Sequence, residues 1–95
     1  MKRLIKGTIM SLALTLGIGT AAFAAIAYVE GGVWDYGTTS TKVYSDYYHQ
    51  SKEHTASVSA GGKIVRSGNV SKGQWAKASM SKSWYQTGYA YYNVK

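Results

Sequence analysis

The 95-residue chain contains no cysteine and no proline, and it has only four acidic residues and two histidines. Without cysteine, neither disulfide bonds nor a cysteine-based zinc site can form, so the fold must depend on packing and on any association with another chain. A zinc site needs three or four ligands that converge on one point. The sequence therefore offers little for metal binding, and we expect no cofactor.

Residues typical of catalytic sites are also scarce. The serines do not lie in a G-x-S-x-G motif, and cysteine nucleophiles are absent. The four carboxylates, Glu30, Asp35, Asp46 and Glu53, lie in short polar segments, where ordinary surface charge is the simpler interpretation than a pair for glycoside hydrolysis. The sequence indicates a protein that is not an enzyme.

The N-terminus has the pattern of an export signal. Three basic residues precede an apolar run at residues 8–18, which is too short to span a bilayer comfortably, and small residues permit cleavage after Ala24 or Ala27. We predict a Sec signal peptide at residues 1–27 and a secreted, extracellular domain at residues 28–95.

The predicted domain remains cationic after cleavage. Eleven basic residues less the three in the leader, against four acidic residues, leave a net charge of +4. This charge favours an anionic partner such as teichoic acid, phospholipid or a pyrophosphate head group, although the same lysines also fit a solvated rim. Nucleic acid is not expected, because the basic residues are not clustered. A secreted, cysteine-free, tyrosine-rich domain is typical of a Gram-positive bacterium.

Short alternating segments separated by polar turns predict an all-β fold. The Gly61–Gly62 pair between two such segments predicts a tight hairpin, because both central positions of that turn need positive φ. We predict one domain, a small antiparallel β-sandwich or barrel of about six strands. The predicted strands are residues 33–36, 41–48, 54–60, 63–67, 74–81 and 84–94.

Aromatic residues are abundant: nine tyrosines and three tryptophans all follow the predicted leader. So small a domain cannot bury all these rings, and exposed rings beside Lys and His form a platform for sugar rings or a lipid-linked head group. In SDYYHQSKEHTASV, we expect His49 and His54 to lie at the two ends of a loop at a recognition edge. A metal site is not expected there because further ligands are scarce, and a general-base role is expected still less. The predicted ligand-binding residues are Trp34, Tyr47, Tyr48, His49, Lys52, His54, Trp75 and Lys77.

Five short motifs in this order resemble the lactococcin 972 family of bacteriocins. They are Glu30–Trp34, Ser45–His49, His54–Val58, Gly73–Ala78 and Tyr91–Asn93. The resemblance implies a small β-sandwich without disulfides, exported by an ordinary Sec signal. It also implies an antibacterial protein that binds the cell-wall precursor lipid II and inhibits septum formation and wall synthesis without forming pores.

The resemblance further implies a homodimer, and we expect a dedicated membrane immunity protein and an ABC transporter as partners. Two other interpretations stay open from the residues alone. One is a secreted lectin-like or adhesive module that binds wall glycan and kills nothing. The other is a matrix protein that self-associates through unpaired strand edges.

Overall fold

A computed structural model describes residues 12–18 and 22–95, and these residues form eight β-strands and no helix. Seven strands lie in residues 22–95 and six lie after Ala27, so the prediction of an all-β domain with about six strands is confirmed. Within the described residues, no helix has the length and apolarity needed to cross a membrane. The strands are β1 (Leu12–Ile18), β2 (Phe23–Val29), β3 (Gly32–Thr38), β4 (Lys42–His49), β5 (His54–Ala60), β6 (Lys63–Arg66), β7 (Gln74–Ser81) and β8 (Thr87–Val94).

The strands form two four-stranded antiparallel sheets. One sheet, called here the β4 sheet, has the order β2-β3-β4-β7; the other, the β5 sheet, has the order β1-β8-β5-β6. Strands β4 and β7 of the first sheet pack against β5 of the second, and β4 also packs against β8. Two sheets packed face to face around a shared core make a β-sandwich, as predicted.

Part of the predicted leader is paired with the sheets. Strand β2 pairs with β3 from Phe23↔Thr38 to Val29↔Gly32, and β1 pairs with β8. Residues 1–11 and 19–21 of the predicted signal peptide lie outside the described residues, and its cleavage stays a prediction. Strands β1 and β2 each lie at one edge of a sheet. Cleavage after Ala27 would therefore remove all of β1 from the β5 sheet and most of β2 from the β4 sheet.

The alternation read in the sequence matches the burial of the strands. In β4, Val43, Ser45 and Tyr47 are buried while the residues between them are partly exposed, and β5 buries Ala56, Val58 and Ala60 in the same way. Successive side chains of a strand point to opposite faces, so each strand gives one row to the core.

The predicted hairpin is also present. Ala60 pairs with Lys63, and Gly61 and Gly62 between them have φ values of 59° and 81°. Both central residues therefore occupy the left-handed region, which glycine enters without steric cost. This turn sets the register of β5 and β6.

The core combines large rings with very small side chains. Trp34 stacks on Tyr36 with ring centroids 3.9 Å apart, and Tyr47 stacks on Tyr92 at 4.7 Å. Alanines from β5, β7 and β8 belong to the same cluster, which leaves room for the rings between the sheets. The Trp34 indole donates to Ser45 Oγ at 2.9 Å, so its one polar group is satisfied inside the core.

The last strand is shorter than predicted. The sequence predicted residues 84–94, whereas β8 begins at Thr87. Trp84 and Tyr85 lie in a turn instead, because Gln86 N–H donates to Ser83 O at 3.0 Å and closes the chain at that point. Aromatic residues favour strands in general, and this side-chain preference misplaced the boundary.

Candidate binding surfaces

Four of the eight predicted ligand-binding residues are not on the surface. Trp34, Tyr47, His49 and His54 are all buried, and Tyr47 and His54 have no exposed area. A ligand cannot touch them in this conformation, so the expectation of direct contact fails for geometric reasons. They support the surface from beneath, since Tyr47 lies against both histidine rings.

The two histidines hold the loop between β4 and β5. His49 Nδ1 accepts from the backbone N–H groups of Lys52 at 3.0 Å and Ser51 at 3.2 Å, and its Nε2 lies 3.0 Å from Glu30 O. A ring with its proton on Nε2 satisfies all three contacts. His49 therefore caps the loop that it was predicted to frame.

His54 links that loop to β7. Its Nδ1 lies 2.8 Å from Lys52 O and its Nε2 lies 2.7 Å from Gln74 O. Both neighbours are backbone carbonyl oxygens, so the ring bridges the loop and β7 through its two nitrogens. No group of three or more His, Asp or Glu side chains within the described residues is placed to hold a metal ion.

A partly buried side-chain hydrogen bond joins the β2–β3 turn to β8. Tyr92 Oη donates to Glu30 Oε2 at 2.8 Å, and Glu30 has a left-handed backbone (φ 51°) that is uncommon for a residue with a side chain. Burial, followed by the hydrogen bond and the charge of Glu30, raises the pKa of Tyr92 to about 12. Burial also raises the pKa of Tyr47, whose hydroxyl donates to Val29 O at 2.8 Å.

These tyrosines make the fold sensitive to alkali. The folded pKa of Tyr92 lies above the ordinary value of 10.0, so its stabilisation is complete below pH 10 and is lost as the pH rises to about 12. We expect the free energy of unfolding to fall across this range, with a smaller fall for Tyr92→Phe, in denaturant titrations at successive pH values. Equal pH dependence in the two proteins would contradict this account. Tyr47 and Tyr44, whose pKa values are also raised, contribute to the fall that remains in the variant.

The other four predicted residues are accessible and define what we call the Tyr48 platform: Tyr48, Trp75 and Lys77 on the outer face of the β4 sheet, with Lys52 exposed in the adjoining loop. Tyr48 pairs directly with Trp75, and their ring centroids are 5.5 Å apart. Trp75 is 43% exposed. These neighbouring rings could take the face of a sugar ring.

The charge around the platform is mixed. Lys77 lies directly opposite Asp46 on β4, and Asp46 in turn lies opposite Asp35 on β3. The pKa of Asp46 is raised overall, chiefly by burial and also by the charge of Asp35. The charges of Lys77 and Lys42 act in the opposite direction and lower the pKa. The platform therefore brings acidic side chains beside its lysine, which weakens its attraction for an anionic ligand.

A groove on the opposite side of the sandwich carries positive charge without acidic side chains beside it in the described chain. This Arg66 groove has a volume of about 490 Å³ and lies over the outer face of the β5 sheet. The charged side chains that line it among the described residues are Arg66 and Lys95, without Asp or Glu. Its lining residues are Thr55, Ala56, Ser57, Ile64, Arg66, Gly68, Asn69, Tyr91, Asn93 and Lys95.

The groove also contains an unsatisfied acceptor. Asn93 Oδ1 is buried and has no hydrogen-bond partner in the described part of the chain. A buried acceptor without a donor is costly, and a ligand hydroxyl or N–H that reached it would supply the missing bond. The sequence analysis did not predict this groove. The alternation in β5 did indicate one part of it, because Thr55, Ser57 and Ser59 lie on the face opposite the buried residues of that strand.

A family model described as Bacteriocin (Lactococcin_972) matches residues 30–92. The chain belongs to the lactococcin 972 family of bacteriocins. Comparison of the chain with curated proteins and with solved structures gave no significant match. Membership of a bacteriocin family suggests a non-enzymatic antibacterial protein, and such bacteriocins are typically secreted.

The family match covers most of the domain after the predicted leader. Its first and last residues, Glu30 and Tyr92, are the two partners of the partly buried hydrogen bond described above. The match includes the whole Tyr48 platform and Arg66, whereas Asn93 and Lys95 of the groove follow it. The lactococcin 972 resemblance inferred from the motifs is thus confirmed at the level of the family.

Proposed function

We propose that this bacteriocin is secreted through a Sec signal, binds a lipid-linked cell-wall precursor such as lipid II, and stops wall synthesis at the septum of Gram-positive cells without forming pores. The observation that carries the ligand class is the Arg66 groove, a concave surface with cationic and hydroxyl-bearing side chains and no acidic side chain among its described lining residues. Lipid II joins a pyrophosphate to sugars, so it offers both anionic oxygens and hydroxyl groups.

Each part of the groove suits one part of such a ligand. The planar guanidinium of Arg66 can donate two parallel hydrogen bonds to phosphate oxygens. Asn93 Oδ1 can accept from a sugar hydroxyl or acetamido N–H, and the ring of Tyr91 offers a face on which a sugar can stack. The Tyr48 platform supplies rings but places Asp46 beside Lys77, so it suits the sugars better than the pyrophosphate.

The test measures growth inhibition together with membrane potential. The purified protein, as processed by its host, is expected to inhibit growing Gram-positive cells while their membrane potential is maintained. Rapid depolarisation at the inhibitory dose would refute the mechanism without pores. Arg66→Ala should raise the inhibitory concentration about 10-fold or more, the typical effect of losing a charged hydrogen bond. The control is Lys72→Ala, which also removes one exposed positive charge but lies outside the groove, and it should change the inhibitory concentration less.

The platform is tested by Trp75→Ala. We expect the melting temperature to change little, because the Trp75 ring is 43% exposed and lies outside the buried clusters. A loss of activity in this stably folded variant is the outcome predicted if Trp75 contacts the ligand. Full activity would contradict that contact and leave the Arg66 groove as the proposed site.

A lectin-like module remains the second candidate, because the hydroxyl-lined groove also suits an uncharged wall glycan. It predicts binding to isolated cell wall without a zone of growth inhibition. As further parts of the proposal we expect a homodimer, together with genes for a multi-pass membrane immunity protein and an ABC transporter beside this gene. Their absence would count against the bacteriocin mechanism.

A further inference from the structure

Two large aromatic residues occupy the centre of the β7–β8 turn. Gln86 N–H donates to Ser83 O at 3.0 Å, and Ser83 N–H donates to the Gln86 side-chain oxygen at 2.8 Å, so both ends of the turn are fixed. The central residues, Trp84 and Tyr85, are 65% and 61% exposed, with their rings edge to face. Small polar residues and glycine are usual at turn centres. Two large rings held in solvent by a fixed turn indicate a surface that binds a partner.

The residue that precedes this turn is a buried lysine. Lys82 is only 7% exposed, and its ammonium donates to Ser83 O at 3.3 Å and to Gln86 O at 3.0 Å. Lysine is rarely buried unless it is paired with an opposite charge. Here the partners are neutral carbonyl groups, and an ammonium group has three N–H donors. One donor and the positive charge are therefore available to an anion.

The lysine lines a pocket of about 340 Å³ beside the turn. The β5–β6 hairpin forms the other side of this pocket through Gly61 and Lys63. Its lining residues in the described chain include two lysines and no Asp or Glu. A phosphate group entering the pocket would meet Lys82 and Lys63 without facing an acidic side chain that lines the pocket.

We propose that this end of the sandwich docks on an anionic lipid surface. The phosphate of a lipid head group enters the Lys82 pocket, while Trp84 and Tyr85 lie at the membrane–water interface. Trp and Tyr concentrate at that interface because their rings are apolar with one polar group, and lysines near an anionic surface strengthen binding about fivefold each. A free phosphate would use the pocket but would give the two rings no role, so the lipid is the better occupant.

The site is independent of the proposed function, because its residues belong to neither the Arg66 groove nor the Tyr48 platform. Docking at a bilayer could be present whether or not the protein binds a wall precursor. Binding to pure phospholipid vesicles, with no wall component, therefore tests this inference alone.

The first test is flotation of the purified protein, as processed by its host, with phosphatidylcholine vesicles that contain or lack phosphatidylglycerol. We expect at least about 10-fold stronger binding to the anionic vesicles, and about a 10-fold loss when Trp84→Ser and Tyr85→Ser are combined. Both rings are exposed, so this variant should keep its melting temperature. Val65→Ser, at an exposed apolar residue of β6 that lines neither the Arg66 groove nor the Lys82 pocket, is the matched control and should bind like the parent protein. Undiminished binding of the double variant would overturn the proposal.

The second test concerns the pocket. Lys82→Gln should remove most of the preference for anionic vesicles, and Lys82→Arg should retain it. Lys72→Ser removes one exposed positive charge outside the pocket and should lower the preference less than Lys82→Gln does. If inorganic phosphate raises the melting temperature in a Lys82-dependent way while vesicle binding is unaffected by Lys82→Gln, the pocket holds free phosphate and the lipid proposal is wrong. Self-association that disappears with Trp84→Ser in sedimentation would likewise assign the rings to a second copy of the chain.

Discussion

Replacing Trp34 with alanine is expected to lower the free energy of unfolding by about 3–5 kcal/mol, the usual cost of truncating a buried aromatic residue. The Trp34 ring is 1% exposed, stacks on Tyr36 and lies 5.1 Å from the Tyr92 ring. Its removal opens a cavity between the sheets and also leaves Ser45 without the indole donor. Native domains have only about 5–15 kcal/mol of stability, so this variant should lose a large share of it and melt at a markedly lower temperature.

The natural control for this variant is Trp84→Ala. It deletes the same side chain from a residue that is 65% exposed, and the melting temperature should change little. Thermal or denaturant melts followed by far-ultraviolet circular dichroism measure both variants. A stable Trp34→Ala protein, or equal losses in the two variants, would contradict the arrangement of the core described here.

Replacing His54 with alanine is expected to destabilise the fold by about 2–5 kcal/mol, the range for large-to-small changes in a core. The imidazole has no exposed area, and both its nitrogens contact carbonyl oxygens, those of Lys52 and Gln74. The variant loses the packing against Tyr47 and the contacts of the imidazole with these two carbonyl groups. The β4–β5 loop would then lose the link to β7 that the His54 ring makes with Gln74 O.

Two variants separate the hydrogen bonds of His54 from its packing. His54→Gln keeps a donor for one carbonyl and should be less destabilised than His54→Ala. Lys52→Ala changes an exposed side chain in the same loop and should cost less than about 0.5 kcal/mol. Addition of a chelator to the parent protein should leave its melt unchanged. A fall in melting temperature on chelation would instead point to a metal at the histidines.

Much of the fold was accessible from local patterns. Alternation in β4 and β5 predicted which side chains face the core, and the Gly61–Gly62 pair predicted the hairpin, because both signals depend only on neighbouring residues. Motif order identified the family. The start of β8 was misjudged because the turn at Ser83–Gln86 depends on a hydrogen bond from the Ser83 N–H to the Gln86 side-chain oxygen, which residue preferences do not report.

The binding surfaces were harder to predict. Tyr47 and Tyr48 are adjacent and both aromatic, yet one is in the core and the other on the Tyr48 platform. Their alternation separates the two faces, but composition alone made both attractive ligand contacts. His49 and His54 were placed correctly at the ends of a loop and wrongly on its surface, because their carbonyl partners come from Glu30 and Gln74, twenty or so residues away.

Strand periodicity, glycine pairs and five short motifs were thus enough to establish an all-β bacteriocin-family domain, since each of them is written in consecutive residues. Which rings are buried, where Arg66 meets Asn93, and how Lys82 comes to lie beside the hairpin at Gly61 all depend on strands that are distant in the chain. Antiparallel pairing and sheet packing bring those residues together, and long-range contacts of this kind leave no pattern in a single stretch of sequence.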